Sequence, residues 1–184
     1  MRPILKRLDV GNVDERCEIL QDHWRHLGED GVDSGALKAG ALDAGTLNVD
    51  ALIVPLAELQ SHLSYPGRLG VRLAPGDQVE NLAGDVQRLS LVAIEFPSAG
   101  EGRGFSQGRL LRSARFGFKG ELRAVGAGVK QDLLFILARC GFDAFELAPG
   151  QKVDEALRAF ERYTVAYQPA EPLSSIEQQR YHAA

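Results

Sequence analysis

The chain has 184 residues, 45% hydrophobic and 25% charged, with a formal net charge of −4. These are ordinary globular values, and the length lets one domain bury a core without disulfides or metals. They argue against a nucleic-acid-binding surface, because no cluster of Lys and Arg is present to track phosphates.

The N-terminus is basic from Arg2 to Arg7, but no apolar run of signal-peptide length follows it. No stretch nears the ~20 apolar residues of a membrane span. A cytoplasmic location without membrane contact is expected. The two cysteines, Cys17 and Cys140, are then expected to remain thiols.

Residues 1–34 are polar and irregular, apart from the knot Asp22-His23-Trp24-Arg25-His26-Leu27. A Gly/Ala/Leu stretch follows, with Gly35, Gly40 and Gly45 spaced by five. Three imperfect copies predict a loop or short helix, since repeat coils need many turns to bury a core. Residues 1–49 thus form an N-terminal segment, 50–168 an α/β domain and 169–184 a mobile polar tail.

Within the domain, apolar runs predict strands at 51–56, 69–73, 91–96, 121–125 and 142–147, with a sixth at 163–168. Helical spacing predicts helices over 78–89, from a Ser106 cap to about 116, over 129–140 and over 152–162. Strands alternating with helices imply right-handed crossovers and a parallel sheet of five or six βα units. The architecture is then a partial (βα) barrel or an open doubly wound sheet. A complete barrel needs roughly 250 residues.

Four strands share an apolar–charged–apolar pattern centred on Arg72, Glu95, Arg123 and Glu146. Charges inside parallel strands are costly unless paired. As a site, Arg72 and Arg123 would hold an anion, with Glu95, Arg123 and Glu146 as the catalytic candidates. As structure, the four would form an ion network closing one end of the sheet. A second candidate is the glycine-rich loop after the third strand, where Gly102, Arg103, Gly104, Ser106 and Arg109 precede or open a helix. Such a loop can present backbone N–H groups to an oxyanion, and guanidinium forks suit that ligand. The spacing Gly-x-Gly-x-x-x-Gly is not the dinucleotide fingerprint.

Cys140 closes a helix, where the dipole disfavours a thiolate. His23 and His26 lack an evident third ligand, so no metal site is expected. No nucleophile elbow, P-loop or His-Glu-x-x-His motif is present. No flavin, nicotinamide or haem motif appears either, so the cofactor, if one is used, is unknown.

The segment Gly102-Arg103-Gly104-Phe105-Ser106-Gln107, with Arg109 to Arg112, Gly117 to Gly126 and Arg139 to Leu147, is distinctive. It resembles the core of a bacterial family named for an oxidoreductase role in sulfite reduction, whose genes often adjoin that of sulfite reductase. Similarity extends to Trp24-Arg25, Val54-Pro55-Leu56 and Leu69 to Leu73. Glu101 and Ala127 stand where that family usually has Asp. The resemblance implies a place in sulfur assimilation and cysteine biosynthesis, without a mechanism. Sulfite reductase holds its four-iron cluster through about four thiolates, and two distant cysteines cannot supply them. The chain is therefore expected to act as an accessory protein, binding sulfite reductase, another enzyme of the pathway, or a sulfur oxyanion. The alternatives are a free-standing barrel-type enzyme acting on a small anionic metabolite, and a homodimer in which partial barrels cover each other's edges.

Overall fold

The computed structural model describes residues 3–8, 16–28 and 50–161. The Gly/Ala/Leu stretch, the strand expected at 163–168 and the tail lie outside the described residues. The fold is α/β, with one mixed, mostly parallel sheet of eight strands curled into a half-barrel and four helices.

The strands are β1 (Pro3–Leu8), β2 (Arg16–Gln21), β3 (Arg25–His26), β4 (Ala51–Pro55), β5 (Arg68–Leu73), β6 (Leu91–Glu95), β7 (Glu121–Val125) and β8 (Ala144–Phe145). The helices are α1 (Leu59–His62), α2 (Arg103–Arg112), α3 (Leu134–Arg139) and α4 (Val153–Glu161). The strand order is β2-β1-β8-β7-β6-β5-β4-β3. From β8 to β3 all neighbours are parallel, whereas β1 runs antiparallel to both β8 and β2. Among the described residues, no helix is long and apolar enough to cross a membrane.

Successive residues of each strand feed opposite faces of the sheet. Val71, Leu73, Ile94, Phe96, Leu122, Ala124 and Phe145 join the main core, with Leu111 of α2, Leu134 and Leu137 of α3 and Ala156 of α4. The opposite face, helix-free among the described residues, carries a smaller cluster of Trp24, Ala51, Ile53, Leu91, Ala93 and Val125. Burial on both faces is why these strands are nearly all apolar.

Residues 3–8 and 16–28 are not irregular, because β1, β2 and β3 are built from them. Their charges concealed this. Arg7 is buried in β1, where Nη1 donates to the carbonyls of Ala138 (3.2 Å) and Phe142 (3.3 Å). The helix expected over 78–89 is instead two 3-10 turns, Val79–Leu82 and Val86–Arg88. Gly84 lies between them, and glycine weakens a helix interior by ~1 kcal/mol. The apolar positions of that segment are still buried. Helix α3 starts later than expected, and α2 starts three residues before Ser106.

Arg112, at the end of α2, clamps the amino-terminal ends of β7 and β8. Its Nε donates to Gly141 O (2.9 Å), its Nη1 to Phe118 O (2.7 Å) and Gly120 O (3.0 Å), and its Nη2 to the Asp143 carboxylate. Asp143 also accepts from Leu122 N at 3.0 Å. Burial pushes the Asp143 carboxyl up, and Arg112 opposes that shift.

Gly104 and Gly108 of α2 are where the helix meets the sheet. A Cβ on Gly104 would lie 2.5 Å from the Phe96 ring, and one on Gly108 would lie 2.5 Å from the Phe142 ring. Both rings are fully buried. Gly108→Ala should therefore destabilise the protein, because overpacking costs about 1–3 kcal/mol against the ~1 kcal/mol that helix propensity returns. Urea unfolding checks this. A gain of ~1 kcal/mol, as at an open helical site, would contradict the packing described.

Candidate functional site

Strand periodicity places Arg72, Glu95 and Arg123 on the helix-free face, since each alternates with a core residue of its own strand. The sheet register sets Arg72 level with Ala93, and Ala93 level with Arg123. Glu95 lies two residues further along β6, diagonal to Arg72 and within reach of a long side chain. Arg72 Nη2 meets Glu95 Oε1 at 3.4 Å, with the two side chains 29% and 28% exposed.

Arg123 does not join that pair. It is 3% exposed, and its guanidinium is held by two other carboxylates. Nε and Nη2 donate to Glu121 Oε1 at 2.9 and 2.7 Å, and Nη1 donates to Asp22 Oδ2 at 3.0 Å. Lys6 Nζ completes the group, 2.8 Å from Glu121 Oε2. Burial pushes the Glu121 carboxyl up, but Arg123 and Lys6 outweigh it and hold the group below its ordinary value. Glu121 sits two residues before Arg123, which is same-face spacing, so that partner was readable from the sequence. Asp22 is 101 residues away and was not.

The pair Arg72 and Glu95 borders a cavity of about 250 Å³ at the carboxyl ends of β3, β4, β5 and β6. This is where α/β sheets place their ligand sites. Its polar lining is completed by His26, which is buried, and Asp77. Leu27, Ile53 and Pro55 form the apolar wall. The β5 rim is braced from two sides. Asp77 Oδ2 accepts from Ala74 N at 2.8 Å, and Gln107 Nε2 donates to the carbonyls of Ala74 (3.1 Å) and Asp77 (2.8 Å). Asp77 and Gln107 escaped the sequence reading because they come from a turn and a helix face, and His26, weighed there only as a metal ligand, comes from a two-residue strand.

Glu146 borders a second, more apolar cavity of about 490 Å³, beside Gly126, Ala127 and Gly150. Of the four charges expected as one ladder, Arg72 and Glu95 share one cavity, Glu146 borders the other, and Arg123 lies in a buried network.

In the glycine-rich loop, Gly102 caps α2 and is exposed, as are Arg103, Ser106 and Arg109. Glu101 occupies the helix start. Its carboxylate accepts from Arg103 N (3.0 Å), Arg103 Nε (2.9 Å) and Arg103 Nη2 (2.7 Å). A bidentate arginine and a backbone N–H together form a strong carboxylate site. The chain's own Glu101 therefore sits where an external anion was expected. Gly104 serves helix packing, as described above.

The match that identifies the chain covers residues 70–174. The chain belongs to the family described as a bacterial protein of unknown function, DUF934. No curated protein matches it. The DUF934 match includes Arg72, Asp77, Glu95, Gln107, Arg112 and Arg123, and it begins after Asp22, Trp24 and His26.

In this DUF934 protein neither Cys17 nor Cys140 forms a disulfide among the described residues. Burial pushes the Cys140 thiol up, against the pull of Arg109 and Arg139, which disfavours a thiolate nucleophile. Among the described residues, no group of three His, Cys, Asp or Glu side chains could hold a metal ion.

The hydrogen bonds from Arg103 hold the Glu101 carboxyl down to about 2. An NMR titration of the intact protein should find that midpoint, and Arg103→Ala should raise it toward the ordinary value of 4.5. An ordinary midpoint in the intact protein would show that the helix start is open.

Proposed function

We propose that this protein serves sulfur assimilation as an accessory protein that works by binding, with the Arg72–Glu95 cavity as its binding site. The carrying observation is that pair. It is partly exposed, and it lies in a cavity at the carboxyl ends of four parallel strands. A partly exposed ion pair at this distance contributes roughly 0–1 kcal/mol. An incoming acid group can therefore displace Glu95 from Arg72 at little cost.

The pathway is supported by the resemblance across residues 102–147 to a family whose genes adjoin sulfite reductase. The ligand is then a small metabolite of that pathway that carries an acid group, or an acidic side chain of a partner such as sulfite reductase. Arg72 is better placed for this than Arg103, whose guanidinium is engaged by Glu101. A homodimer is favoured by one observation. Edge strand β2 exposes Ile19 at 44% and Leu20 at 38%, and unpaired edges invite pairing with a second chain. Sedimentation of the purified protein tests that point.

The binding role is tested by thermal unfolding with sulfite, sulfate, phosphate, short carboxylates and small neutral amino acids, and by capture of purified sulfite reductase. A ligand selective for the folded state raises the melting temperature by mass action. We expect a rise with at least one acid, or capture of the reductase, and its loss in Arg72→Ala. A response unchanged in Arg72→Ala, or none with any ligand or partner, would refute the assignment.

A further inference from the structure

We infer that the Arg72–Glu95 cavity takes a small zwitterion, a neutral α-amino acid, rather than a simple anion. This rests on the cavity being the binding site and specifies what fills it.

The argument starts from the charges. Among the described residues the cavity is lined by one guanidinium, Arg72, and two carboxylates, Glu95 and Asp77. These three side chains sum to −1. A divalent oxyanion placed here would gain Arg72 but face both carboxylates, and removal from water makes like-charge contacts more costly. A ligand with a carboxylate and an ammonium group meets both signs. Its carboxylate takes the guanidinium, whose planar fork suits that partner. Its ammonium takes Glu95, released from Arg72, with Asp77 as the second acid of the lining. One loose ion pair at 3.4 Å is thereby exchanged for two.

The remaining walls set the side chain. Leu27, Ile53 and Pro55 are apolar, and about 250 Å³ lies just below the usual range of ligand cavities. A short aliphatic or hydroxymethyl group fits these walls. Asp77 is not free to swing away, because its Oδ2 accepts from Ala74 N and its carbonyl accepts from Gln107. The acidic rim is preorganised, which lowers the cost of ordering a ligand there.

The test uses three matched sets on the full chain by calorimetry. They are alanine with propionate and ethylamine, serine with 3-hydroxypropionate and ethanolamine, and valine with isovalerate and isobutylamine. We expect at least one amino acid to bind, and to bind roughly tenfold or more tighter than its amine-free and acid-free partners. Glu95→Gln should remove the advantage over the matched carboxylate. Asp77→Asn, which keeps the oxygen that accepts from Ala74 N, should weaken the amino acid alone. Carboxylates or sulfite binding as well as the amino acids would overturn the zwitterion and leave the site standing. An amino acid that binds equally to Arg72→Ala would overturn both. No binding by any amino acid would also overturn the zwitterion, and sulfite or partner binding sensitive to Arg72→Ala would then decide the site separately.

Discussion

Three residues, Asp22, His23 and Trp24, join β2 to β3, yet these strands are the opposite edges of the eight-stranded sheet. Four Cα steps span at most about 14 Å. The edges must therefore come close together, and the sheet can satisfy that only by curling. The bridge is pinned at both ends. Asp22 accepts from the buried Arg123 and from Trp24 N, at 3.0 and 3.1 Å. Trp24 lies against the helix-free face at Gly70, where an added Cβ would come within 3.1 Å of the ring. The Arg68 guanidinium covers the indole at 5.2 Å.

This network has chemical as well as mechanical consequences. Lys6, Glu121, Arg123 and Asp22 sum to zero charge, and each is matched by an opposite neighbour. Buried charges arranged this way stabilise little over an apolar core but are costly to break. They hold the N-terminal hairpin and the bridge on the sheet. By doing so they bring His26 and Leu27 to the cavity that Arg72 and Glu95 border from the other side. Half of the described residues that line this cavity, His26, Leu27, Ile53 and Pro55, therefore precede the reach of the family match.

Strands β4 to β7 were legible because burial on both faces leaves continuous apolar runs, and their spacing gave the parallel order. Strand β1 was not, because Lys6 and Arg7 read as solvent-exposed until Glu121 and the carbonyls of Ala138 and Phe142 are known. The segment around Val79 and Val86 showed the right burial and the wrong helix, since periodicity reports a buried face and not the hydrogen-bond pattern. Arg72 and Glu95 were legible as charges at strand ends. Asp77, Gln107 and His26 were not, because turn geometry and tertiary packing bring them together. Of the glycines in and after the loop, Gly104 and Gly108 pack against Phe96 and Phe142, whereas Gly102 has open space around it.

The most direct test of the account is a double-mutant cycle on the bridge, with Asp22→Ala and Arg123→Ala measured singly and together by urea unfolding. Arg123→Ala alone should cost about 3–5 kcal/mol, because it strands Glu121 and Asp22 without their cation. The pair should show a coupling energy of about 1–3 kcal/mol. Losses that simply add, within about 0.5 kcal/mol, would mean that the bridge does not hold the edges of the sheet together.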